Sequence, residues 1–204
     1  MKKLCLLLFA ISLIFGVAGV AGATVLTFDD IAPTSSLAQI PDGYGGFSWD
    51  NFYYIKKSFK PSQGYYNTGY ENGAFSGEYS AFNGYGKLAS LNINSGIFDF
   101  VGAYLTSAWV NGNSVTVEGY LGGPSGIPVG ALTVTVNTDT PTWFDFNFVG
   151  IDSLVFSSTN KQFVMDDFTY NSSAPVPEPA TMLLLGAGLL GMGVVGRKKL
   201  FKKA

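Results

Sequence analysis

Two pairs of neighbouring acids are the first residues whose type and spacing suggest chemistry. Phe28-Asp29-Asp30 ends one apolar run near the start of the central stretch, and Met165-Asp166-Asp167-Phe168 lies in the last such run. Clustered carboxylates repel one another unless a cation sits among them, and calcium takes about six to eight hard oxygen ligands. Asp29, Asp30, Asp166 and Asp167 are therefore candidates for a structural calcium site. No EF-hand or RTX-type loop accompanies them. The plainer reading is acids at turns or strand edges, facing water.

A second set is aromatic. From Pro41 to Gly86 the chain is dense in Tyr, Gly and Asn, as in Gly43-Tyr44-Gly45-Gly46, Tyr65-Tyr66-Asn67 and Tyr70-Glu71-Asn72-Gly73. Sugar sites present flat aromatic faces to pyranose rings, with amides and carboxylates bonding the hydroxyls. Tyr44, Trp49, Tyr66 and Tyr70 are the candidate ligand-binding residues. The alternative is that about half of the aromatics here pack a core. Lys56, Lys57 and Lys60 form a small basic cluster in the same region, suited either to an anionic polysaccharide or to a solvated loop.

Several chemistries are excluded by composition. The chain has no His, and its one cysteine, Cys5, lies in the N-terminal apolar segment. Serine–histidine triads, thiol catalysis and His-ligated zinc are therefore out of reach of the central domain. Two carboxylates would still serve a glycosidase, but nothing marks out a particular pair. The expectation is a protein that is not an enzyme.

These residues sit on a chain with strand signals and almost no helical ones. Runs rich in β-branched and aromatic residues, broken by Gly, Asn and Ser, read as strands at 24–28, 47–52, 78–82, 98–109, 114–120, 129–136, 143–148, 153–157 and 162–170. Phe144, Phe146 and Phe148 alternate with polar neighbours, as do Leu132, Val134 and Val136. Period-2 patterning sends one set to a core and the other to solvent. About eight to ten antiparallel strands in a single jelly-roll-like β-sandwich is the expected all-β fold.

Both ends of the chain carry targeting chemistry. Met1-Lys2-Lys3, the apolar Leu4 to Val20 and the small residues Ala21-Gly22-Ala23 have the form of a signal peptide cut between Ala23 and Thr24. At the other end come Val176-Pro177-Glu178-Pro179, an apolar stretch from Ala180 to Val195, and a basic end from Arg197. An apolar helix with a cationic stop anchors in a membrane with its tail in the cytoplasm. The expected organisation is 1–23 signal peptide, 24–170 sandwich, 171–179 linker, 180–196 transmembrane helix and 197–204 cytoplasmic tail.

That three-part C-terminus resembles the PEP-CTERM sorting signal, a motif also catalogued as an ice-binding protein C-terminal domain. The resemblance implies processing near Pro177-Glu178-Pro179 by an exosortase, after signal peptidase has acted. It also implies delivery to the cell surface or extracellular matrix of a Gram-negative-type, exopolysaccharide-making bacterium. The central domain loosely resembles carbohydrate-binding-module sandwiches, where acids on the first and last strands hold a structural calcium. Between Thr24 and Ala174, five Lys face ten Asp and three Glu, a net charge of −8. Such an acidic domain disfavours nucleic acid as a partner. The expected role is non-catalytic, structural or adhesive, in an exopolysaccharide or biofilm matrix; the alternative is a lectin-like module, and a glycosidase comes third.

Overall fold

The computed structural model describes residues 22–31, 35–159 and 161–173. The expected transmembrane helix, the Pro-Glu-Pro motif, the basic tail and nearly all of the expected signal peptide lie outside the described residues. Among those described, no helix is long and apolar enough to cross a membrane.

Twelve strands form among the described residues: β1 Thr24–Leu26, β2 Leu37–Gln39, β3 Phe47–Asp50, β4 Phe52–Lys56, β5 Tyr79–Asn83, β6 Ala89–Ile93, β7 Ile97–Ser107, β8 Asn113–Leu121, β9 Ile127–Val136, β10 Thr142–Ile151, β11 Ser153–Ser158 and β12 Phe163–Ser173. One short helix, α1, covers Gly69–Asn72. The strands make two antiparallel sheets, one ordered β10-β7-β12-β5-β4-β2 with β1 also on β12, the other β3-β6-β11-β8-β9. This is an all-β sandwich.

The observed strands follow the alternation, with instructive departures. The expected strand over 47–52 is two strands, because Asn51 between them takes a left-handed backbone, φ 56°. Such a conformation is tolerated by Asn and breaks the ladder. β2 and β6 carry little patterning of their own and form because β4 on one side and β3 and β11 on the other supply partners. Along β10 the register shifts between Asp145 and Phe148, with Asn147 at φ 52°. The bulge still leaves Phe146 and Phe148 in the core. β12 runs on through Ser173, pairing Asn171 with Asp99 and Ser172 with Phe98, past the expected end of the sandwich at Tyr170.

The core is largely phenylalanine. Phe47, Phe52, Phe98, Phe100, Phe156, Phe163 and Phe168 are fully buried between the sheets. Phe100 stacks on Phe168 with ring centroids 4.7 Å apart, and on Phe146 at 5.0 Å. Each such ring removed from water contributes on the order of 2 kcal/mol, so the domain folds without a disulfide.

A second apolar cluster lies on the other face of the larger sheet. Residues alternate across β4, β5 and β12: Phe52, Tyr54, Ala81, Phe163 and Met165 belong to the core, whereas Tyr53, Ile55, Phe82 and Val164 point the opposite way. Tyr70 of α1, Phe59 and Trp109 cover this outer set. The long 57–78 connection thus folds back over the sheet, and its border with the strands is where open space appears.

Candidate functional site

A groove of about 200 Å³ opens at that border, lined by Leu37, Tyr53, Lys60, Tyr70, Phe82, Gly84, Tyr85, Trp109 and Gln162. Its walls come from distant parts of the chain and are fixed by local hydrogen bonds. Tyr85 is the middle residue of a 3₁₀ turn, Gly84–Gly86, with its own backbone left-handed at φ 56°. The turn is stapled from below: the Asn51 side-chain amide donates to the Gly84 and Leu88 carbonyls, and that of Asn83 donates to the Lys87 carbonyl. Asn83 also accepts the Phe163 N–H at 2.9 Å. A side chain at Gly84 would strike Asn51 and the Tyr53 ring, so glycine lets Tyr53 lie under the turn. Tyr85 is 80% exposed and stands edge-on to Tyr53 at 6.3 Å.

The opposite wall is Trp109, Tyr70 and Lys60. Trp109 lies two residues beyond β7 and donates its indole N–H to the Gln162 side-chain oxygen at 2.7 Å. Among the described residues no acceptor takes the Gln162 side-chain NH2, and Gln162 lines the groove. Tyr70 is buried edge-on against Phe82 at 5.2 Å and Trp109 at 5.3 Å. Burial holds its hydroxyl well above the usual tyrosine range, so it stays a neutral phenol. Lys60 leads into the 3₁₀ turn Pro61–Gln63, and its Nζ lies 5.3 Å from the centre of the Trp109 ring. Flat faces, an amide donor and a cation converge here.

The acids form a different kind of site. β12 pairs with β5 at Val164–Met165 and with β1 at Phe168–Tyr170, on one edge. The Asp166-Asp167 pair falls at the changeover, where the register with β7 also shifts and Asp167 takes φ 47°. Asp29, in the turn after β1, meets the same place. Its carboxylate accepts the backbone N–H groups of Glu78 at 2.7 Å and Tyr79 at 3.1 Å. Asp166 accepts the N–H of Ser76 at 2.9 Å and of Asp167 at 2.8 Å, and Asp167 accepts the Ser76 hydroxyl at 2.6 Å. Gly77 completes the turn at φ 57°, where a Cβ would run into the Asp29 carboxylate.

Asp166 has no exposed surface. Burial, with the nearby Asp167 and Asp29 charges, pushes its carboxyl up to about 8, against the pull of its two N–H donors. The acid is thus protonated at neutral pH. Among the described residues, no group of three or more Asp, Glu, His or Cys is placed to hold a metal ion. Asp29 and Asp166 accept backbone N–H groups, and Asp167 accepts the Ser76 hydroxyl.

The sequence-predicted residues separate accordingly. Asp29, Asp166 and Asp167 come together. Asp30 leaves the group and accepts the Tyr44 hydroxyl at 2.7 Å. Tyr44 in turn accepts the Phe28 N–H and packs on Phe28 and Trp49. Trp49 is a core residue, its indole N–H on the Tyr44 carbonyl at 2.9 Å, with no face left for a ligand. Tyr66 is exposed away from the groove lining, and Tyr70 forms its floor. Trp109 and Gln162 were not singled out from sequence. The expected strands over 98–109 and 162–170 took in both residues, and β7 in fact ends at Ser107, two residues before Trp109.

Residues 175–199 match the PEP-CTERM protein-sorting motif. The chain therefore carries the signal of an exported, cell-surface-targeted protein, and the motif implies exosortase-mediated processing. No curated protein matches the sequence. Among solved structures, a DUF4465 family protein from Bacteroides caccae is similar at 13% identity over 73% of this chain and 98% of its own, with a TM-score of 0.49. TmCBM61, solved with beta-1,4-galactotriose, is similar at 14% identity over 64% of this chain and 93% of its own, TM-score 0.34. The K2 cleaved adhesin domain of Lys-gingipain is similar at 11% identity over 74% of this chain and 99% of its own, TM-score 0.45. At such scores these likenesses carry no functional argument, and function has to be read from this chain's own side chains.

Proposed function

We propose that this surface-sorted protein is a non-catalytic carbohydrate-binding module, and that the groove beside Tyr85 is where sugar binds. One observation carries the reading: Tyr53, Tyr85 and Trp109 present ring surface around one opening that also holds the Gln162 amide and the Lys60 ammonium. Pyranose rings bind by stacking their C–H faces on aromatic rings while hydroxyls take up fixed polar groups. A structural or adhesive role in an exopolysaccharide matrix follows from that binding, with the sorting signal bringing the module to the cell surface.

The test is a binding screen of the purified protein against soluble polysaccharides, repeated with Tyr85→Ala. Saturable binding to at least one glycan, lost with Tyr85→Ala while the melting midpoint holds, supports the module. A screen flat across all sugars removes it and leaves an adhesive matrix component whose function depends on the sorting tail. Hydrolysis of any polysaccharide by the purified protein would overturn both readings in favour of a glycosidase.

A further inference from the structure

Lysine usage differs sharply around the 57–78 connection. Lys57 is fully engaged: its Nζ bonds Glu78 at 2.8 Å and the Gly77 carbonyl at 3.0 Å. Lys60 is not. Its Nζ sits over four rings, 5.3 Å from Trp109, 5.5 Å from Tyr70 and 5.8 Å from both Tyr65 and Phe59. Among the described residues no carboxylate pairs with it and no acceptor takes its N–H groups. Aromatic faces favour a cation but accept no strong hydrogen bond, so the ammonium keeps its donors for something else.

The groove around it is the exception in an acidic domain. Not one acidic side chain lines it, although acids outnumber lysines by thirteen to five between Thr24 and Ala174. The three converging acids bond the 76–79 turn instead, Asp29 and Asp166 through its backbone N–H groups and Asp167 through the Ser76 hydroxyl. Lys60 is also fixed in place. The Phe59 N–H donates to the Lys56 carbonyl, and the Ser62 hydroxyl and Tyr65 N–H close the turn onto the Phe59 and Lys60 carbonyls.

We propose that the groove selects acidic sugars, with the ring stacked on Tyr85 and its carboxylate or sulfate taken by Lys60. This rests on the groove being the sugar site. An anionic group supplies the acceptors that the ammonium lacks, and a charge-assisted pair at a partly desolvated aromatic wall is stronger than a neutral hydroxyl contact. A neutral sugar would stack equally well and gain less from Lys60. Carboxylate and sulfate share this chemistry, and the probes below separate them.

The experiment measures affinity of the full chain in detergent for three matched pairs. These are an oligomannuronate and the corresponding neutral β-1,4-mannan oligomer, an oligogalacturonate before and after carboxyl reduction, and a sulfated galactan oligomer before and after desulfation. Each is run with wild type, Lys60→Met, Lys60→Arg and Tyr85→Ala. Wild type is expected to prefer an acidic member over its neutral partner by about tenfold to a hundredfold, and Lys60→Met to erase the preference. Lys60→Arg should retain most of it, which guards against a folding artefact in the Met variant, and Tyr85→Ala should weaken both members. Whether the uronates or the sulfated oligomer show the preference names the acid. Equal wild-type affinity for acidic and neutral partners, or a preference that survives Lys60→Met, overturns the selectivity while the sugar site stands. Absence of binding to all six probes overturns the selectivity, and with a flat result in the wider polysaccharide screen it overturns the site as well.

Discussion

The groove and the acidic cluster are both made of residues that look like ligand chemistry, yet they treat their polar groups in opposite ways. In the cluster each acid bonds the protein's own chain, Asp166 through both oxygens. Asp29, Asp166 and Asp167 hold the 76–79 turn against the junction of β1, β5 and β12. In the groove the rings are stapled from behind while the exposed Tyr85 face, the Gln162 amide and the Lys60 ammonium remain unspent. Residue type suggested a site in both places; the second is the one where ring faces, an amide and an ammonium border one opening. A polar side chain already satisfied by the fold stabilises the fold, because breaking its bonds for a ligand would cost what binding returns.

The cluster should carry the largest effect on stability. Asp166→Ala leaves the part-buried N–H groups of Ser76 and Asp167 without their acceptor and opens a cavity at a buried side chain, at about 1–3 kcal/mol for each bond. Urea unfolding should therefore show a loss of roughly 2–5 kcal/mol, with glycan affinity preserved. A loss of less than about 0.5 kcal/mol would mean that the cluster is not structural.

The next effect is on pH dependence. Asp166 keeps its proton when folded up to about pH 8, whereas its ordinary value is 3.8. The folded form then binds more protons than the unfolded one across that window. Its stabilisation is complete below about pH 4 and is lost as pH rises towards 8, at a slope approaching about 1.4 kcal/mol per unit. Unfolding free energies measured between pH 4 and 8 should fall, and Asp166→Asn should flatten the fall. A wild-type profile that is level or rising in this range would remove the buried proton.

Groove substitutions should do the reverse. Tyr85→Ala or Trp109→Ala is expected to weaken glycan binding by about 1–2 kcal/mol, roughly tenfold, from lost stacking. The exposed Tyr85 should leave stability within about 0.5 kcal/mol. Trp109→Ala should also cost some stability, because it packs on Tyr70. If Tyr85→Ala changed stability and left binding alone, the two regions would have exchanged roles.

The smallest expected effect sharpens the cluster itself. A melt with calcium and then with chelator asks whether a proton or a cation offsets the repulsion among Asp29, Asp166 and Asp167. With Asp166 held protonated and Asp29 and Asp167 bonded to the 76–79 turn, the midpoint should not move. A rise that grows with calcium concentration, as mass action on the folded form requires, would put the ion there.

Much of the fold was legible beforehand because strand patterning is local. Val134 and Val136 on one face of β9, with Thr133 on the other facing Thr116 across the ladder, need no tertiary information beyond a buried side. β2 and the Asn51 break were not legible, since a three-residue strand is made by its neighbour and a left-handed Asn leaves no periodic trace. For the site, Tyr70 was within reach because it lies in a Tyr–Asn-rich connection. Trp49 shows the limit: it has the composition of a binding residue and the position of a core one, and its partners Phe47, Phe52 and Phe168 come from three strands.

The amino-acid sequence alone determined the class of fold, the lack of any histidine and the C-terminal sorting signal. These depend on alternation, composition and contiguous motifs, which are properties of neighbouring residues. The tertiary structure decided which aromatics face outward, why Asp30 parts from Asp29, and that Lys60 rather than Lys57 stays unpaired. Those outcomes turn on which distant backbone N–H or carboxylate reaches a side chain first, and pairing at a separation of some 90 residues, as between Ser76 and Asp166, leaves no mark on the local pattern.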